Sequence, residues 1–222
     1  FKYDPTKTSK TKSALETLVK AAIMSYDKNS LAGFDTLFRH SQLTTKIDGA
    51  EQSLLSNITT VKLRKNHAAT VDGTKSTIKL DFGNRLYNPH TDHNKVGGGV
   101  VTSTGFFVSG DTKNYFFDDD GSGNIRKYYA DDATRVYTDN TAGTVDYGTG
   151  VISINTLTYS STSISDGSID FTIIPNSNDV ISVRNQLLDI TASEISVTGV
   201  ADTVASGETS AGVGYTTSSS YS

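Results

Sequence analysis

From about Asn66 onward the chain breaks into short apolar runs bounded by glycine, asparagine or aspartate, and this texture constrains the fold more than any other feature. Strand-like runs fall at residues 77–82, 100–109, 115–118, 125–129, 134–137, 145–147, 151–159, 168–174 and 179–190. Short runs rich in β-branched and aromatic residues, spaced by turn formers, belong to sheets rather than helices. They predict a sandwich-like or meander domain whose pairing order the sequence does not give. Eleven Tyr, many Ser, Thr and Gly, and only three Pro suit the same reading. Phe106-Phe107, Tyr115-Phe116-Phe117 and Tyr128-Tyr129 place neighbouring aromatics on these runs. Successive side chains on a strand point to opposite faces, so one neighbour packs in a core and the other faces away. The outward one is a candidate for subunit contact, or for packing within a two-layered domain.

The first 66 residues read differently. Leu15, Leu18, Val19, Ala22, Ile23 and Tyr26 recur at helical spacing over about residues 11–27 and form one apolar stripe. Ser13 with Glu16 fits a capping box, which predicts a helix beginning near Ala14. Asn29 and Gly33 break the pattern. A second, short amphipathic helix is expected to carry Phe34, Leu37 and Phe38, with His40 on its polar edge, before Leu43, Ile47 and a strand through Ile58, Val61 and Leu63.

The fold class is therefore α+β. A small two-helix α/β module at 1–66, packed on a small sheet that includes 57–65, precedes a β-rich domain at 67–178. From Asp179 a strand segment is expected to return along that domain and end in a Ser/Thr/Gly-rich arm, 203–222, disordered unless a partner or sheet edge holds it. The chain opens on Phe1 as if within a strand, and is read as a C-terminal piece of a longer protein.

Composition narrows the partners. A net charge of −4 with no basic block argues against a nucleic-acid footprint. The lack of Cys removes disulfides and thiolate metal sites. No apolar run approaches about 18 residues, so no membrane partner is expected. The Asn57-Ile58-Thr59 sequon reads as chance.

Several segments invite chemistry. Asp118, Asp120 and Ser122 occupy the first, third and fifth places of an EF-hand-like loop, with Gly123 sixth, but Tyr129 stands where the bidentate Glu belongs. Strand-like flanks favour a hairpin turn. His90-Thr91-Asp92-His93 offers two imidazoles and a carboxylate, at i, i+3 in a loop rather than the i, i+4 of a helical zinc pair, and reads as a loop. His67 stands isolated at a domain boundary. Gly97-Gly98-Gly99 lacks the ending of a phosphate loop and reads as a strand entry. Ser103-Thr104-Gly105 is no nucleophile elbow. Asp118–Asp120 and Asp131-Asp132 read as solvated turns rather than glycosidase carboxylates. No catalytic set, cofactor or metal is assigned.

The order of a long helix, then F-x-x-L-F-R-x-S (Phe34 to Ser41), Ile47-Asp48, and L-S-N-I-T-x-V-K-L (Leu55 to Leu63) resembles the baseplate wedge subunits of T-even-like contractile-tailed phages, the gene product six type with its baseplate J-like core. The run N-x-N-D-V-x-x-x-R-N-Q (Asn176 to Gln186) resembles the same family. The resemblance implies a non-enzymatic structural subunit that joins wedges into a ring around the tail hub and takes part in triggering contraction. It implies a homo-oligomer, at least a dimer, that also binds other wedge proteins. Its location would be the virion tail baseplate, with assembly in the host cytoplasm. Phe34, Leu37, Phe38, Arg39, Asn178, Asp179, Arg184, Asn185 and Gln186 would carry core or interface contacts. The alternative, from Tyr-rich strands and Asp/Asn-rich turns, is a carbohydrate- or receptor-binding tail module.

Overall fold

The computed structural model describes residues 1–69, 75–93, 99–182 and 186–202. In chain order the elements begin with β1 (Lys2–Tyr3), α1 (Lys12–Tyr26), β2 (Leu37–Phe38), α2 (His40–Asp48) and β3 (Leu54–Ser56). Next come β4 (Leu63–Ala68), β5 (Ser76–Asp81), β6 (Val101–Ser103), β7 (Phe106–Val108), β8 (Asn114–Asp119) and β9 (Asn124–Asp131). The remainder are β10 (Thr134–Asp146), β11 (Val151–Leu157), β12 (Tyr159–Thr162), β13 (Ser168–Ile173), β14 (Val180–Ile181) and β15 (Val200–Ala201). Among the described residues two α-helices beside extensive sheet make the fold α+β with a β-rich part. The chain divides into two compact units, Phe1–Thr59 with Arg184–Ser222, and Thr60–Val183. The arm at 203–222, with Gly97, Gly98, Arg184 and Asn185, lies outside the described residues.

In the first unit α1 buries Leu15, Val19, Ile23 and Tyr26, while Leu18 and Ala22 are half-buried beside them. Its cap is Thr11, whose hydroxyl accepts from Ala14 N at 3.3 Å. The expected Ser13–Glu16 box is not formed. Glu16 instead pairs with Lys12 at 3.8 Å and accepts Gly199 N at 2.9 Å. After Tyr26 the helix widens into one π turn, Asp27–Leu31.

The second helix begins at His40, not near Phe34. Asp35 takes the left-handed conformation, φ 58°, which no continuous helix across 34–38 allows. The Tyr26 hydroxyl then holds the Arg39 backbone, accepting its N–H at 2.9 Å and donating to its carbonyl at 3.3 Å. Phe38 is buried with its ring edge-on to Tyr26 at 5.7 Å. Leu43 and Ile47, one turn apart on α2, are buried.

A three-stranded sheet, in the order β15-β1-β3, completes this unit. β1 runs parallel to β15, with Lys2 opposite Val200, and antiparallel to β3. The C-terminal segment thus pairs with the chain's first residues. Phe1 N donates to Thr198 O at 2.8 Å, and Ile190 N donates to Asp27 at 2.9 Å. Of the strand expected over 179–190, only Val180–Ile181 is one among the described residues.

The second unit is one antiparallel sheet in the order β4-β13-β6-β8-β9-β10-β11-β5, with β7 also on β8 and β12 on β7. Strands β8 to β11 form a meander. The strand expected at 57–65 is displaced to Leu63–Ala68 and pairs with β13 in this large sheet, not in a small one. The sheet curls almost into a barrel: Lys65 on the edge strand β4 donates to the Asp81 carbonyl on the opposite edge, β5, and lies 5.5 Å from the centre of the Phe82 ring. Its interior holds Phe106, Phe117, Ile125, Ile152, Ile169, Phe171 and Ile173, all fully enclosed. Phe117 stacks on Phe106 at 4.5 Å and on Phe171 at 5.9 Å.

Burial separates two of the sequence-predicted aromatics of the first unit. Phe38→Ala should cost about 3–5 kcal/mol, as for a core aromatic. Phe34, 71% exposed, should lose no more than about 0.5 kcal/mol as Ala. Urea denaturation of both variants checks the difference.

Candidate interaction surfaces

Strands β8, β9 and β10 present a ladder on their outer face. Tyr115 and Phe117 point inward, so Phe116 and Asp118 point outward. Register sets Phe116 opposite Tyr128, Asp118 opposite Arg126, and Tyr128 opposite Tyr137. Phe116 stacks on Tyr128 at 5.6 Å, and Tyr128 meets Tyr137 at 5.5 Å. The Arg126 guanidinium lies 4.2 Å from the Tyr137 ring centre, and that of Arg135 4.8 Å from Tyr128. Cation–π contact and cross-strand pairing thus act together.

These groups enclose Asp118, which is 0% exposed although it faces outward. Its Oδ1 accepts Arg126 Nε at 3.0 Å, and its Oδ2 accepts Arg135 Nη1 at 2.7 Å and the Tyr137 hydroxyl at 2.8 Å. Burial pushes the Asp118 pKa up against the pull of those bonds and charges. Burial, then the bond to Asp118, raises the Tyr137 phenol. Asp119 turns inward, accepting Val101 N at 2.8 Å and the Tyr147 hydroxyl at 2.7 Å. The sequence pattern held a signal for this network: Arg126-x-Tyr128 and Arg135-x-Tyr137 repeat at strand period on adjacent strands.

The other acidic candidates are turn formers. Asp120 accepts Ser122 N at 2.7 Å, Asn124 N at 3.0 Å and Asn124 Nδ2 at 2.7 Å, closing the β8–β9 hairpin as the strand-like flanks predicted. With the Asp118 oxygens taken by arginine and tyrosine, the EF-hand-like spacing brings no ligand oxygens together. Asp4, Asp81, Asp111, Asp139, Asp146 and Asp166 each accept the N–H two residues on. This side-chain turn explains so many aspartates without a charged site. Asp132 takes the left-handed conformation in the β9–β10 turn, φ 50°. Among the described residues no three His, Asp or Glu side chains cluster around a common point.

The family-derived candidates are scattered. Phe38 is buried, Leu37 half-buried, and Phe34 and the Arg39 side chain exposed. Asn178, Asp179 and Gln186 are exposed, and Asp179 N donates to Ser177 at 3.2 Å. Arg184 and Asn185 lie outside the described residues. The first unit also exposes Leu55, Leu187, Val200 and Ile58, the last 95% exposed. A shallow recess of about 460 Å³ lies beside α2, lined by Tyr26, Ser30, Ser41, Gln42, Thr45 and Lys46, with no carboxylate or imidazole among them.

Removing the enclosed carboxylate takes from two guanidinium groups the counter-charge they share. Asp118→Ala should therefore cost about 3–5 kcal/mol, measured by urea denaturation. Acid should also destabilise the protein. Hydroxyl hydrogen bonds first, and backbone N–H groups with them, hold Asp4, Asp111, Asp146 and Asp166 below the usual aspartate value. Their folded pKa is below the unfolded one, so the stability they add is full above the unfolded value and lost as pH falls through the folded one. The thermal midpoint should drop below about pH 4; Asp→Asn changes at these four positions should flatten that drop.

Residues 1–66 match the family model described as baseplate structural protein gp6, C-terminal domain III. The match covers F-x-x-L-F-R-x-S and L-S-N-I-T-x-V-K-L, and ends within β4. A comparison with curated proteins finds no match.

Proposed function

We propose that this chain is a structural part of a phage tail baseplate and acts through protein contacts rather than catalysis. The match of residues 1–66 to a baseplate structural domain carries the reading. In finer terms, the chain belongs to a wedge subunit that joins wedges into a ring around the tail hub of a contractile tail, self-associates at least as a dimer, and shifts contacts when contraction is triggered. Its place is the virion baseplate, assembled in the host cytoplasm. The exposed apolar side chains of the first unit, Phe34, Leu55, Ile58, Leu187 and Val200, support contact through that unit. Buried apolar anchors dominate stable interfaces, whereas a carboxylate placed among them is costly.

A second reading belongs to the other unit. The stacked Phe116, Tyr128 and Tyr137 beside Arg126 and Arg135 favour a carbohydrate- or receptor-binding face. A glycan array separates the two: saturable sugar binding lost in Tyr128→Ala supports the second.

Sedimentation of the full chain, alone and with other baseplate proteins, tests the first. The expected outcome is a dimer or larger species at micromolar concentration, or a stable complex with a baseplate protein. Ile58→Asp and Phe34→Asp should each weaken association at least tenfold, about 1.4 kcal/mol, while leaving the thermal midpoint of the dissociated chain, measured at high dilution, in place. A chain that stays monomeric and binds no baseplate protein contradicts the proposal.

A further inference from the structure

The loop that follows Leu86 takes no part in the ladder or in the exposed apolar set, yet it brings two imidazoles together. His90 Nε2 and His93 Nδ1 face each other at 3.5 Å, with the rings 87° apart. The other nitrogen of His90, Nδ1, lies 2.9 Å from Thr91 O. A carbonyl can only accept, so Nδ1 carries the proton of that bond, and Nε2 of the neutral ring has its lone pair directed at His93. Metal-bound histidines are oriented in this way, with the distal N–H on a backbone carbonyl.

The spacing fits a shared cation better than a shared proton. An N–H bond to a ring nitrogen is usually about 2.7–3.2 Å long, so the 3.5 Å contact is weak and little is lost when its proton leaves. Two nitrogens bound to one zinc at about 2.0–2.1 Å, meeting at the tetrahedral angle, stand about 3.3–3.4 Å apart. The observed spacing is within about 0.2 Å of that value, so a turn of the two rings to aim both lone pairs at one point completes the clamp.

The loop is also held in place before any ion arrives. Asp92, between the two histidines, takes the left-handed conformation, φ 61°. Its N–H donates to Gly121 O at 3.2 Å, and its carboxylate accepts the Ser122 hydroxyl. Asn88 Nδ2 donates to the same Gly121 carbonyl at 3.3 Å. The Tyr87 ring meets His93 edge-on at 5.4 Å. The β8–β9 turn therefore braces the loop from one side and Tyr87 packs on it from another, so the backbone that carries both histidines is held in place.

The geometry points to a two-imidazole clamp for a borderline divalent cation, Zn²⁺, Ni²⁺ or Cu²⁺, with His90 Nε2 and His93 Nδ1 as its protein ligands and water in the remaining positions. Imidazole nitrogen suits these ions, whereas Ca²⁺ and Mg²⁺ take oxygen ligands and are passed over. With two protein ligands the ion stays exchangeable. Only a ring nitrogen with a free lone pair binds the ion, so acid competes with the metal.

Titration of the full chain with ZnCl₂, followed by imidazole ¹⁵N resonances and by calorimetry, tests this, with CaCl₂ as the control. The expected result is saturable uptake of one Zn²⁺ per chain, with shifts at His90 and His93 and no response to Ca²⁺. His90→Gln and His93→Gln should each weaken Zn²⁺ binding by at least roughly tenfold, and His67→Gln should leave it unchanged. Both loop histidines are solvent-accessible, and an unaltered thermal midpoint in each metal-free variant shows that folding is intact. No saturation by about 1 mM Zn²⁺, or an affinity that survives both loop substitutions, overturns the proposal.

Discussion

The second unit depends on the strict alternation of β8. Tyr115, Phe117 and Asp119 point into the curled sheet, while Phe116 and Asp118 point out. A slip of one residue sends Asp118 among Phe106, Phe171 and Ile125 and exposes Phe117, so the register is fixed from both faces. Inside, Phe117 is stacked between Phe106 and Phe171. Outside, Arg126 and Arg135 arrive from the next two strands to meet one carboxylate. Neither side works without the other: the ion cluster needs the register that the aromatic core imposes, and the enclosed charges tolerate no other. Desolvating those charges offsets much of their attraction, so the cluster's main effect is to specify one pairing rather than to add net stability.

Local signals were legible where local chemistry decides structure. The α1 stripe reads directly from Leu15, Val19, Ile23 and Tyr26, and the β8–β9 hairpin from its Asp/Gly turn between aromatic runs. Phe34, Leu37 and Phe38 have helical spacing, yet the second helix begins only at His40, because one left-handed residue, Asp35, and a tertiary bond from Arg39 N–H to the Tyr26 hydroxyl override that pattern. The helix cap fell at Thr11 rather than Ser13 for a similar reason, since Glu16 is engaged by Lys12 and by the distant Gly199. Pairing of Lys2 with Val200 joins residues from opposite ends of the chain, and no window-based pattern contains both.

The candidate surfaces were less legible still. Sequence alone marks Asp118 as a possible calcium ligand, because the identity of its partners depends on which strands lie beside β8. Once those strands are placed, the carboxylate belongs to arginine and tyrosine. Asp4, Asp81, Asp111, Asp139, Asp146 and Asp166 likewise lose their chemical interest, since each accepts the N–H two residues ahead. Pattern reading put Phe34 on an amphipathic helix and Ile58 in a strand, whereas the structure leaves both side chains exposed. Those side chains, within the segment that matches a baseplate structural domain, tie the functional account to particular residues.

Hydrogen–deuterium exchange of the chain before and after its incorporation into assembled baseplates tests that account most directly. Contact through the first unit predicts new protection around Phe34 and across 54–58, with the β8–β10 ladder exchanging as it does in the free chain. Protection confined to β8–β10, with 34 and 54–58 unchanged, would contradict it and make the aromatic and arginine face the working surface.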